Sequence, residues 1–193
     1  MDYRIKSVVF DEENHRYFYG GKELHGVTGA IGRLMGKNFP DTDIVKLATI
    51  YGSDVHKEVE NYFNNGGKLS SEGAKWVVSE IERFINEQTV PVTKVECEVM
   101  VSDFEGTASK VDVVIHLASN EAFLFDIKTT SHFDRPYCSL QLSVYKDLFE
   151  RNYVEKVQGM FVLGTKSRRL FRIFLQEDSK IQKILDMNKE ANI

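Results

Sequence analysis

Two neighbouring apolar runs, Val111-Asp112-Val113-Val114-Ile115 and Phe123-Leu124-Phe125-Asp126-Ile127-Lys128, each carry charge where a buried strand should carry none. The β-branched and aromatic residues around those charges favour strand over helix. If Ala118-Ser119-Asn120 forms the turn between the runs, the strands are antiparallel and Asp112 lies across from Asp126. Side chains alternate along a strand, so Leu124, Asp126 and Lys128 share one face while Phe125 and Ile127 take the other. The fold must then bring two carboxylates and an ammonium to one point on an otherwise apolar sheet. Carboxylates that close repel and raise each other's pKa. A divalent cation removes the conflict, and oxygen ligands suit Mg²⁺ or Mn²⁺. Beside such a cation Lys128 can orient an attacking water and offset charge developing on a phosphodiester. An ordinary ion pair between Asp126 and Lys128 is the competing reading of the triplet alone. The second carboxylate, on its own apolar run, argues against it.

The surrounding pattern predicts the frame. Residues 4–19 read as two short strands about the turn Asp11-Glu12-Glu13-Asn14, with a second turn at Gly20-Gly21. A helix is expected after Val27, capped by Thr28. Residues 43–64 read as a helix that Gly52 could interrupt, and 71–87 as another with Trp76, Val77, Ile81, Phe84 and Ile85 in one stripe. Segments 92–101, 107–117 and 122–129 read as an antiparallel meander. A helix over 136–151, strands near 155–163 and 169–175, and a last helix over 179–189 follow. The expected class is α/β (α+β), with a central mixed sheet flanked by helices. At 193 residues a single domain is expected. Residues 1–40 would form an N-terminal hairpin and helix, and 41–193 the core.

Composition narrows the function. Net charge is −4, so a grip on nucleic acid by phosphate neutralisation alone is not expected. Lys166, Arg168, Arg169 and Arg172 form one local basic run, which is also what a charged strand edge would show. Two cysteines, Cys97 and Cys138, are too few for a disulfide scaffold or a four-thiolate cluster. No apolar stretch is long enough for a membrane span, and the first residues lack a secretory signal pattern, so cytoplasmic residence is expected. Gly66-Gly67-Lys68-Leu69 lacks the spacing and hydroxyl of a phosphate-cradling loop, so no ATP motor is expected.

Two further pairs sit at helical spacing. His56 and Glu60 share a face, and Gly52 one turn earlier would leave room for a substrate or ion. Gln141 and Tyr145 share a face on the helix after the Asp126–Lys128 strand. Each pair alone reads as ordinary helix surface. In chain order, however, Gly52-x-x-x-His56-x-x-x-Glu60, Gly106-Thr107 with Asp112, Asp126-x-Lys128-Thr129 and Gln141-x-x-x-Tyr145 resemble the RecB-like branch of the PD-(D/E)XK nucleases. The opening His15-x-Tyr17 and Gly26-Val27-Thr28 look like its phage and mitochondrial members.

That resemblance implies a restriction-endonuclease-like core and a metal-dependent deoxyribonuclease, an exonuclease on single- or double-stranded DNA ends in phage or bacterial recombination and repair. It implies His56, Asp112, Asp126 and the main-chain carbonyl of Ile127 as metal ligands, with Asp112, Asp126 and Lys128 catalytic. Glu60, Gln141 and Tyr145 would support the site or the substrate, and Glu96 and Glu98 rank behind them. Mg²⁺ or Mn²⁺ is the expected cofactor. Some relatives carry four cysteines for an iron–sulfur cluster, and with two cysteines none is expected here. An annealing protein or a second copy would be the partner. The alternative is a nucleic-acid-binding module on the same fold that has lost catalysis. One departure stands out: relatives place one residue between the Gly-Thr pair and the aspartate, whereas Ala108-Ser109-Lys110-Val111 intervene here, so a bulge or longer turn is expected.

Overall fold

The computed structural model describes residues 1–37, 43–131 and 134–191, without the side chains of 43–49. A 3-10 turn, Tyr3–Ser7, leads into a small antiparallel sheet of β1 (Val9–Asp11), β2 (Arg16–Tyr19) and β3 (Lys22–Leu24). Helices α1 (Val27–Leu34), α2 (Asp43–Asn65) and α3 (Glu72–Asn86) follow. Then come β4 (Val92–Ser102), β5 (Ala108–Leu117), β6 (Glu121–Lys128), α4 (Arg135–Asn152), β7 (Lys156–Gly164), β8 (Arg169–Ile173) and α5 (Asp178–Glu190). The five long strands form one mixed sheet in the order β4-β5-β6-β7-β8. Only β6 and β7 pair in parallel, and α4 is the crossover that such a pair requires. The fold is therefore the α+β class expected, with a mixed central sheet between helices.

Strand alternation divides the core about the large sheet in two, and a third cluster of Ile5, Val8, Tyr17, Leu24 and Ala108 lies with the small sheet. Val114, Ala122, Leu124, Met160 and Val162 pack with α1, α4 and α5 on one face. Val113, Ile115, Phe125, Ile127 and Leu163 pack with α2 and α3 on the other. Local chemistry sets the helix starts. Ser71 caps α3 by accepting the Ala74 N–H at 3.1 Å, and Phe84 at its far end meets Phe123, Phe125 and Phe161 edge-on. Asp134 caps α4 by accepting from Tyr137 N, with Pro136 in the first turn, where no N–H is needed. Asn152 closes α4 onto β4: its amide both accepts from and donates to the backbone of Ser102, at 2.8 and 2.9 Å.

Several expectations change. Gly26, not Thr28, is the residue before α1, and Thr28 lies exposed inside its first turn. The reason is tertiary: the His25 backbone bonds to both Gly106 and Ala108, which ends the extended segment there, and buried Val27 starts the helix. The Gly20-Gly21 turn leads into a third strand, β3, which the sequence did not announce. Helix α2 runs unbroken through Gly52. A Cβ at Gly52 would stand 3.0 Å from the Thr129 hydroxyl, so the glycine lets helix and strand end approach, and it also lines the cavity beside His56. The basic run is not one patch. The Lys166 ammonium lies over the Tyr51 ring at 4.6 Å and Arg168 is 3.6 Å from Glu72. Arg169 and Arg172 are exposed on β8, three residues apart and so on opposite faces. The expected division at 40/41 falls outside the described residues. Among those described, no helix is long and apolar enough to cross a membrane.

Candidate metal centre

The β5–β6 ladder runs from His116↔Ala122 to Val113↔Phe125 across the turn 118–120, and its register points Asp112 at Asp126. There the strands part. The Asp112 carboxylate fills the gap, accepting the Ile127 N–H at 2.6 Å where the next ladder bond would have been. The neighbouring strand is disturbed at the same level. Register between β4 and β5 is constant from Lys94↔His116 to Ser102↔Ala108, so the segment before Asp112 is taken up without the expected bulge. What changes is the face. Cys97 and Val113 pack with α2 and α3, whereas Val99 and Val111 pack with α1, α4 and α5. Glu98 and Asp112 sit at this reversal, and Glu98 has a φ of 54°. A non-glycine residue held there costs roughly 1–3 kcal/mol, strain of a kind concentrated at functional sites.

Helix α2 supplies His56. Its Nε2 is 3.3 Å from the Ile127 carbonyl oxygen, and its Nδ1 is 3.6 Å from Asp112 Oδ1 and 3.9 Å from Glu98 Oε1. With the proton on Nε2, the ring donates to that carbonyl and turns Nδ1 to the carboxylates. One donor atom each from His56, Glu98 and Asp112 lie within 4.8 Å of one another. These separations are too long for direct hydrogen bonds and leave a gap that a cation could occupy.

Beside this group, Lys128 Nζ stands 2.9 Å from both Asp126 oxygens, with hydrogen-bond geometry met at Oδ1. Oδ2 is buried and has no hydrogen-bond partner among the described residues. Lys128 also donates to Gln141 Oε1 at 3.1 Å, and Gln141 Nε2 donates to the Tyr145 hydroxyl at 2.9 Å. Ser109 closes the chain by donating to that hydroxyl at 3.1 Å. The ammonium is thus fixed by three elements, β6, α4 and β5.

The electrostatics follow from crowding. Burial pushes the Asp112 carboxyl up, helped by Asp126 and Glu98 and opposed by His56 and Lys128. Burial alone would lower His56, yet Asp112, Glu98 and Asp126 outweigh it and hold the imidazole up. Burial would also favour a neutral Lys128, but Asp126 and Asp112 keep it protonated, with its pKa raised. Three carboxylates thus crowd together against Lys110, Lys128 and the His56 imidazole that they hold up.

All of this lies on the wall of a cavity of about 970 Å³, whose lining includes His56, Glu60, Glu98, Asp112, Asp126, Ile127, Lys128, Gln141 and Tyr145. The two carboxylates on β4 part company. Glu96 turns to His116 and Lys94, while Glu98 joins His56. Glu60 lines the cavity, but the third member of the His56 group is Glu98. Alternation along β4 offered Glu96 and Glu98 equally; the left-handed turn that separates them leaves no signature in the residue types. No protein-family model and no curated protein matches the chain.

Proposed function

We propose that the protein is a metal-dependent deoxyribonuclease of the RecB-like branch of the PD-(D/E)XK nucleases, hydrolysing phosphodiesters at DNA ends with Mg²⁺ or Mn²⁺. One observation carries the reading: Asp112, Asp126 and Lys128 meet His56 where β5 and β6 part, on the wall of a cavity large enough for a nucleotide. The donor set fits such a cation. A buried Asp126 oxygen lacks a hydrogen-bond partner, the carboxylates crowd one another, and the donors are oxygens with one imidazole.

His56, Asp112, Asp126 and the Ile127 carbonyl would hold the ion, with Glu98 as a further ligand. When bound, a divalent cation neutralises phosphate charge and polarises the bond to be broken. The chain's own groups do the positioning. Asp126 and Gln141 hold the Lys128 ammonium at a fixed point, where its charge offsets the anion that develops on the phosphate. Held beside Asp126 and Asp112, Lys128 is placed to act as a cation. Tyr145 and Ser109 hold Gln141 in place beside Lys128. With a net charge of −4, part of the grip on DNA falls to a second copy or an annealing partner.

The test is digestion of end-labelled single- and double-stranded DNA in Mg²⁺, Mn²⁺ or EDTA, comparing wild type with Asp126→Ala and Lys128→Ala. Cation-dependent cleavage lost in both variants supports the reading. Binding without cleavage by wild type would sink it in favour of a binding module on this fold.

A further inference from the structure

The cavity has a second wall that the chemistry above does not use. It is built by the β1–β2 hairpin, which presents Phe10, His15 and Tyr17 to the same space as Asp112 and Lys128. The three rings form one cluster. Phe10 lies 4.7 Å from Tyr17 in a tilted stack, and His15 meets Phe10 edge-on at 5.1 Å. Tyr17 is buried and serves as the floor, Phe10 is half-buried, and His15 is exposed.

Two features single this cluster out from ordinary hairpin packing. His15 has a φ of 52°, a left-handed position that histidine tolerates better than most side chains, and it holds the exposed imidazole at the end of the hairpin turn. Lys110 then links the cluster to the metal group: its ammonium lies 4.1 Å over the Phe10 ring and 3.6 Å from Glu98 Oε2. An aromatic surface, a cation against its face and a carboxylate group for the ion thus adjoin in one continuous cavity.

We propose that the exposed His15 ring, braced edge-on by Phe10, forms a stacking seat for one unpaired nucleobase of the substrate strand, with Lys110 beside the adjoining phosphate. The inference rests on the nuclease reading and deepens it. A base within a duplex has both faces covered by its neighbours, whereas an unpaired base offers a free face to an aromatic side chain. The seat therefore selects a single-stranded segment next to the bond to be cut, whether from single-stranded DNA or from a frayed end. It tolerates any base, since every base has such a face.

The experiment measures binding without turnover, in EDTA, of two fluorescent oligomers of equal length: oligodeoxythymidylate and an abasic deoxyribose-phosphate chain. Wild type is expected to bind the base-bearing oligomer about 5- to 150-fold more tightly, the range that one stacked base supplies. His15→Gly relieves the backbone and removes the ring, so it folds at least as well as wild type and should lose most of that preference. Phe10→Leu keeps apolar volume and should lose it too. In both variants, affinity for the abasic chain should be unchanged. Equal wild-type affinity for the two oligomers, or a preference that survives both substitutions, overturns the seat and leaves the nuclease reading standing. If neither oligomer binds and no DNA is cleaved when cation is restored, both readings fall.

Discussion

Two histidines in this protein each stand between two carboxylates, and the two settings differ in spacing and surroundings. His116, on β5, has Nδ1 2.9 Å from Glu155 and Nε2 3.3 Å from Glu96, which Lys94 also contacts at 2.8 Å. Two positive and two negative charges balance when the ring is protonated, and the imidazole is buried against the Phe149 side. His56 faces Asp112 and Glu98 at 3.6 and 3.9 Å, with Asp126 behind them and an open cavity in front. Both settings place an imidazole between carboxylates with lysines beside them. His116 is itself buried and tied at 2.9 and 3.3 Å, whereas His56 stands further from its carboxylates on a cavity wall, with room for a cation. Distance and access separate the two.

The largest expected effect would break that contrast if it failed. Asp112→Asn should lower cation-dependent cleavage by roughly a thousandfold, about 4 kcal/mol of barrier at 1.36 kcal/mol per tenfold, in a single-turnover assay. Glu96→Gln should leave that rate within about twofold, because Glu96 belongs to the other cluster. Comparable losses in the two variants would show that the histidine clusters are not functionally distinct.

Stability should divide the other way. His116→Gln removes the partner of Glu155 and Glu96 and is expected to cost roughly 1–3 kcal/mol in denaturant unfolding. The rise in melting temperature that Mn²⁺ gives wild type should survive it. In Asp112→Asn that rise should vanish.

Glu98→Gly sharpens the comparison at the level of backbone strain. Removing a side chain from a residue with a φ of 54° should raise stability by about 1 kcal/mol, or roughly 2–4 °C in melting temperature. The same change should weaken Mn²⁺ binding, read by calorimetry. A loss of stability would mean that the left-handed turn is not strained.

The smallest effect is in pH. Burial alone would lower the His116 pKa, but Glu96 and Glu155 outweigh it and the net shift is upward. The stability it contributes is therefore complete below about 6.5, the ordinary histidine value, and is lost as pH rises through the higher folded value. Wild-type stability should fall across that alkaline window, and the slope should flatten in His116→Gln. Glu96 works at the other end. His116 beside it, and then Lys94, hold its carboxyl down to about 2 against burial, so its contribution fades only as pH falls towards that value.

Much of this arrangement was legible before any packing was known. Alternation placed Asp126 and Lys128 on the face of Leu124, and a three-residue turn set Asp112 in register with Asp126. Spacing along α4 put Gln141 beneath Tyr145. These are consequences of strand and helix periodicity, which act within a few residues. Glu98 was legible only as one of two equal carboxylates, because the reversal of face that chooses it over Glu96 is a property of two paired strands.

By itself, then, the sequence determined the sheet, its flanking helices and which charged groups share a strand face, since apolar period and turn chemistry are local. The tertiary structure alone decided what those groups meet. It brought His56 of α2 to the Ile127 carbonyl and set Gly52 against Thr129. It packed Gly106 so tightly under α5 that a Cβ there would lie 2.6 Å from the Lys189 backbone nitrogen. It also sent Lys166 to the Tyr51 ring and Arg168 towards Glu72, which splits the basic run. Each of these depends on segments far apart in the chain docking through buried apolar surface, and no short-range pattern encodes where two such surfaces will touch.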